Sequence, residues 1–195
     1  MKSQRRAIAA EVFADGREYD AGQTNRLDRL RNLEPDTAEL LGVLVRATQA
    51  RRILEIGNSN GHSTLWLADA AESTGGGVET LDIDPRRTEL ALANLRRAGL
   101  ADRVTCRTLG AAQALAEYPD DAWDLVFLDA ERPEYVGYWD NLRRTLAPSG
   151  TLAIDNAISH EVELTEFNRV LDTDPGVTSA LVPTGAGLIV AVAAP

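Results

Sequence analysis

An α/β fold, with a seven-stranded and mostly parallel sheet, helices on both faces and an antiparallel last strand, is predicted for this 195-residue chain by three observations. From Ile53 onward, short runs of β-formers alternate with amphipathic stretches, as in parallel strands joined by crossover helices. Only Thr184-Gly185-Ala186-Gly187 separates the last two runs, a hairpin-length connection that turns the final strand antiparallel to the one before it. The length, with 44% hydrophobic residues, suits one domain with a full core and no linker.

In chain order, an Arg/Asp/Glu-rich leader over residues 1–31 is expected to form one or two helices or to lie over the site as a lid. The core, over 32–195, opens with Leu33-Glu34-Pro35-Asp36 and an apolar-periodic helix through Leu40, Leu41, Leu44 and Val45. Strands are expected over Arg52–Gly57, Val78–Asp84, Val104–Leu109, Trp123–Ala130, Gly150–Asn156, Val177–Pro183 and Leu188–Ala194. Helices are expected over Ser63–Ala71, Arg86–Ala98, Ala111–Glu117, Glu134–Leu146 and Glu161–Leu171. Gly75-Gly76-Gly77 reads as a turn within a βα unit. An open parallel sheet binds ligands at the carboxyl ends of its strands, so function is sought just after Ile56, Ile83, Leu128 and Ile154.

Composition narrows the function classes. Thirty acidic residues against twenty basic ones give a formal charge of −10, which argues against affinity carried by phosphate contacts and so against nucleic acid. One cysteine, Cys106, and two histidines exclude an internal disulfide and a Cys/His zinc site. No signal-type or membrane-length apolar run occurs, which makes the cytoplasm the expected compartment. The basic residues are nineteen arginines and a single lysine, Lys2, so lysine-based chemistry has almost nothing to draw on.

Leu54-Glu55-Ile56-Gly57-Asn58-Ser59-Asn60-Gly61-His62-Ser63-Thr64 runs a strand through a glycine turn into a helix N-terminus, where unpaired amides and the helix dipole favour an anionic group. Glycines at such a turn are often turn chemistry alone. The balance shifts with Leu81-Asp82-Ile83-Asp84-Pro85, whose acid at the next strand end is placed to bind both hydroxyls of a ribose. The spacing is Gly-x-x-x-Gly and lacks the glycine triplet of a pyrophosphate cradle. Asp84, before Pro85, reads as a helix cap.

These residues resemble the class I S-adenosylmethionine-dependent methyltransferases, in particular the cation-dependent O-methyltransferases of the catechol and caffeoyl-CoA type. The resemblance runs from about Arg31 to the C-terminus and implies a Rossmann-like fold with the antiparallel seventh strand. It implies that Glu55, Gly57, Asn58 and Ser63 surround the methionine part of the cofactor, with Asp82 on the ribose. Leu33 offers backbone, Ala112 lies by the adenine, Asp129 also borders the cofactor, and His62 packs against it.

Asp129 ends the fourth strand, and Asp155 and Asn156 end the fifth. Two carboxylates and an amide are hard ligands that suit Mg²⁺, Mn²⁺ or Ca²⁺. Strand-end Asp and Asn are also common turn formers and caps, but the resembled family binds its divalent cation at these same three positions. Tyr135 and Tyr138 recur at the family's spacing, while Tyr138 and Trp139 read as core on a shared helical face.

Two residues depart from the family. Arg132 stands where it has a lysine thought to take the acceptor's proton, and Arg31 stands where it often has an apolar residue near the acceptor. An arginine stays protonated and is no base, so the resemblance leaves Arg132 to steady an oxyanion beside Asp129. The implied activity is O-methylation of a small catechol-like aromatic by a homodimer. The alternatives are methylation of a hydroxylated tRNA base, or a cofactor-binding and dimerisation module with weak catalysis.

Overall fold

The computed structural model describes residues 1–195. Helix α1 (Ser3–Ala21) and α2 (Pro35–Ala47) precede β1 (Arg52–Ile56), α3 (His62–Thr74), β2 (Gly77–Asp82), α4 (Pro85–Arg97), β3 (Val104–Thr108) and α5 (Ala111–Glu117). The chain continues through β4 (Trp123–Leu128), α6 (Tyr135–Thr145), β5 (Leu146–Ile154), α7 (Glu161–Thr173), β6 (Val177–Val182) and β7 (Leu188–Ala193). The seven strands lie in the order β3-β2-β1-β4-β5-β7-β6. Pairing is parallel except where β7 runs against both β5 and β6.

Strand residues alternate between two apolar layers, as a period of two requires. Ile53, Leu125, Phe127 and Ala153 face one layer, with Leu41 and Val45 of α2, Leu65 and Leu67 of α3 and Leu95 of α4. Leu54, Ile56, Val126, Leu128, Leu152 and Ile154 face the other, with Leu115 of α5, Leu142 of α6 and Phe167 of α7. The leader joins the first layer: Ala9 and Val12 of α1 are buried in it.

Register then places the site. Ile56 pairs with Leu81 on one side and Leu128 on the other, and Leu128 pairs with Ile154. The next residue of each strand is Gly57, Asp82, Asp129 or Asp155, so four of the sequence-predicted residues stand in one row at the carboxyl edge.

Every strand ends one or two residues before its expected end, and two boundaries have a clear physical cause. Strand β2 ends at Asp82 because Asp84 caps α4, its side chain accepting from the Arg86 amide. Strand β5 begins at Leu146, four residues early, and α6 stops at Thr145. Leu146 and Ala147 are buried, Leu146 pairs with Trp123, and the register slips between Trp123 and Leu125, so Pro148-Ser149-Gly150 is absorbed as an irregularity inside the strand.

Candidate active site

The turn after β1 is held in shape before any ligand arrives. Gly57 has φ +98°, and a Cβ there would come within 2.1 Å of the Asp129 carbonyl oxygen, so only glycine lets the β1 and β4 ends approach this closely. Beneath it, Glu55 is fully buried and accepts hydroxyl hydrogen bonds from Ser63 (2.6 Å), Thr64 (2.5 Å) and Thr80 (2.5 Å). Burial pushes its carboxyl up to about 7, although those hydroxyls favour the charged form. Glu55 therefore ties β1, β2 and the first turn of α3 together.

Asp82 accepts the Ser59 amide (3.0 Å) and the Asp84 amide (2.9 Å), one on each oxygen. Each carboxylate oxygen keeps further lone-pair capacity, enough for two hydroxyls. Asn58 is 1% exposed, and neither its side-chain oxygen nor its nitrogen has a partner in the protein. Buried amides without partners are costly, and the free donor and acceptor of Asn58 could hold a polar ligand. Next to Asp82, Ile83 is 76% exposed, an apolar surface at the strand edge. Ala112 is exposed in the first turn of α5, whereas Leu33 is buried. His62 is buried against Phe13, with ring centroids 5.2 Å apart. That burial lowers its pKa to about 4, which leaves it a neutral packing residue.

The other half of the row carries unbalanced charge. The Asn156 amide, at φ +67°, donates to Asp129 Oδ1 (3.1 Å) and Asp155 Oδ2 (2.9 Å). Asp155 Oδ1 is buried without a partner. Burial raises both carboxyls above the ordinary range, and the Asp129 charge raises Asp155 further, while Arg31 and Arg132 restrain Asp129. Asp129, Asp155 and Asn156 are thus brought together as predicted. The set contains two carboxylates and an amide, with no third His, Cys, Asp or Glu of metal-holding geometry beside it.

Arg132 is 3% exposed in a short helical turn, Arg132–Glu134. Its Nε donates to Glu163 Oε2 at 2.7 Å, and its Nη2 has no partner. Tyr135 fixes this loop by exchanging hydrogen bonds with the Ala130 amide (2.8 Å) and carbonyl (3.0 Å). Tyr135 is fully buried, and Tyr138 and Trp139 pack on the second apolar layer.

Sequence reasoning missed three participants. Glu163 pins Arg132 from the first turn of α7, and Glu131 accepts both Arg26 Nη2 and Arg31 Nη2, each at 2.9 Å. These partners lie 31, 105 and 100 residues apart, beyond any periodic or spacing signal. The leader accordingly crosses the carboxyl edge, held also by the Ser59 hydroxyl on the Leu30 carbonyl and by Arg87 on the carbonyls of Leu27 and Arg29.

Residues 10–193 match the family described as O-methyltransferase. Among curated relatives, a catechol O-methyltransferase of Mycobacterium tuberculosis is 40% identical over 78% of this chain and 65% of its own length. Another, from Niastella koreensis, is 32% identical over 76% of this chain and 66% of its own length. The chain thus spans slightly under two thirds of each relative. Among solved structures, an O-methyltransferase from Bacillus cereus in complex with SAH superposes with a TM-score of 0.80 at 26% identity, covering 96% of this chain and 90% of that one. A cofactor-bound protein from Mycobacterium tuberculosis superposes at 0.82 with 28% identity, covering 98% and 90%.

Proposed function

Because this chain belongs to the O-methyltransferase family, we propose that it transfers a methyl group from S-adenosylmethionine to a hydroxyl of a small o-dihydroxy aromatic, with a divalent cation at Asp129, Asp155 and Asn156. The observation that carries this reading is the row of strand ends, with an amide-loaded carboxylate at Asp82 and two repelling carboxylates at Asp129 and Asp155.

The residues fit a hard cation. Asp155 Oδ1 is an orphaned buried acceptor, and two carboxyls pushed toward protonation by burial and each other are relieved by a positive ion. Rotating the Asn156 amide would turn its oxygen toward them and complete a three-oxygen set. Bound there, the cation supplies Lewis acidity that makes an acceptor hydroxyl more acidic, and S-adenosylmethionine supplies the methyl group.

The chain's own residues bind, orient and hold charge. Asp82 takes the ribose hydroxyls, Asn58 and Ser63 the amino-acid end, and Ile83 with Ala112 the adenine. Glu55 holds the turn from beneath. Arg132 removes no proton at working pH; locked by Glu163, it keeps a fixed positive charge beside Asp129 and Asp155, where an acceptor oxyanion would be stabilised. The formal charge of −10 disfavours a polyanionic tRNA acceptor.

Methyl transfer from labelled S-adenosylmethionine to o-diphenols and matched monophenols, with and without EDTA, tests the proposal. Diphenols should be methylated, EDTA should abolish turnover, and Mg²⁺ should restore it. EDTA-insensitive transfer would remove the cation from the reaction. Cofactor binding with no turnover on any diphenol would favour a binding module.

A further inference from the structure

The turn that carries Asn156 is clamped by the hairpin between β6 and β7. The Ala157 amide donates to the Gly187 carbonyl (2.9 Å), and the amides of Ile158 (2.9 Å) and Ser159 (3.0 Å) both donate to the Ala186 carbonyl. The His160 amide closes the turn on the Asn156 carbonyl (3.0 Å). A Cβ on Gly187, at φ +90°, would come within 2.5 Å of the Ile158 nitrogen, so only glycine lets the hairpin lie this close. The clamp fixes what stands beside the Asn156 side chain.

The nitrogen of that side chain donates to Asp129 and Asp155, and its oxygen accepts the Ser159 hydroxyl at 3.2 Å. The same hydroxyl lies 2.8 Å from His160 Nδ1. A serine just before a helix commonly caps it. Here the Ser159 hydroxyl turns to Asn156 and His160 instead, and α7 begins without a side-chain cap.

Proton inventory links the three groups. A hydroxyl has one proton, and a neutral imidazole has one N–H and one bare nitrogen. While the Asn156 oxygen takes the Ser159 proton, Ser159 accepts from Nδ1–H of His160. With the amide rotated so that its oxygen faces the carboxylates, its nitrogen donates to Ser159, and the Ser159 proton turns to a bare Nδ1. The ring proton is then on Nε2. Charge is the same in both arrangements, because one proton leaves Nδ1 for water and one reaches Nε2 from water.

We infer that Ser159, backed by His160, is a positioning pair that latches the Asn156 amide in its cation-binding orientation, so that occupancy of the site sets the tautomer of His160. This rests on the cation site proposed above and assigns two further residues to it.

The test joins a binding measurement to a spectroscopic one, on the full chain with S-adenosylhomocysteine present. Followed by electron paramagnetic resonance, Mn²⁺ should bind Ser159→Ala roughly three- to tenfold more weakly than wild type, the loss of one neutral hydrogen bond, and Ser159→Thr should restore the affinity. Nitrogen-15 spectra of the histidine rings are recorded at about pH 8, where an ordinary imidazole is neutral. Added Mg²⁺ should move His160 to the Nε2–H form, and both Asp155→Ala and Ser159→Ala should prevent that change. His62, the one other histidine, is packed against Phe13 and serves as the unmoving reference. A His160 ring that ignores Mg²⁺ in wild-type protein that binds the ion overturns the inference and leaves the cation site standing. So does a tautomer change that survives Ser159→Ala, or equal Mn²⁺ affinity in that variant and wild type. Wild-type protein that binds neither ion removes the cation site and the latch together.

Discussion

At the ends of β1 and β2 the two carboxylates already have their partners, although the Asn58 side chain has none. Glu55 carries three hydroxyls, Asp82 carries two amides, and Gly57 allows the close approach. At the ends of β4 and β5, two carboxyls repel one another across a single amide, with one buried oxygen unpartnered. The carboxylates of the first half are satisfied by the chain, while the second keeps two buried carboxyls raised above their ordinary range. On the function proposed above, the β1/β2 half binds the cofactor and the β4/β5 half prepares the acceptor.

Substitutions should separate the halves. The largest effect is expected for Asp155→Ala, which should lower cation-dependent turnover by a factor on the order of 1,000 or more by removing a ligand to the charge that stabilises the reacting oxygen. Cofactor affinity, measured by calorimetry, should stay within about twofold, and a large loss of it would show that the halves are not separable. Asp82→Ala should do the converse. Charge-assisted hydrogen bonds contribute about 1.5–3 kcal/mol, so cofactor affinity should fall roughly 10- to 100-fold while cation binding persists. Unchanged affinity would remove Asp82 from the ribose.

Stability against pH offers a smaller contrast. Carboxyls with folded-state pKa values above their ordinary ones favour the fold when protonated, so their contribution is full below the ordinary value and is lost as pH rises through the folded one. For Glu55 that window runs from 4.5 to about 7. Urea midpoints of the cation-free protein should therefore decline across it, and Glu55→Gln should flatten the decline. Added Mg²⁺ should stabilise more at pH 8 than at pH 5.5, because binding needs Asp129 and Asp155 ionised. A midpoint that rises over this range would contradict the buried-carboxyl account.

Arg132→Lys should have the smallest effect. A lysine there supplies a titratable base, so the rate near neutrality should rise a few-fold and the high-pH plateau should hold, since an ionised acceptor has no proton to give. If the whole pH profile is unmoved, position 132 lies away from the reacting oxygen.

The two halves were also unequally legible in the sequence. The strands could be read, with ends one or two residues too long, because alternation and β-propensity are local, and the hairpin at Thr184–Gly187 fixed the antiparallel last strand. Asp84 as a cap could be read for the same reason. The start of β5 could not, because Pro148-Ser149-Gly150 carries local turn chemistry that pairing of Leu146 with Trp123 overrides. Asp129, Asp155 and Asn156 were visible as types at strand ends, but their electrostatic imbalance depends on burial. Glu131, Glu163 and the path of the leader over the site arise from contacts between distant segments, which no spacing encodes.

The difference between the halves is tested most directly by Mn²⁺ titration followed by electron paramagnetic resonance, with S-adenosylhomocysteine present throughout. Wild-type protein should bind one Mn²⁺ per chain at the β4/β5 edge, Asp155→Ala should lose that ion, and Asp82→Ala should keep it. Absence of Mn²⁺ binding in the wild type, or binding unaffected by Asp155→Ala, would contradict the division of the edge into a completed cofactor half and a half that a cation completes.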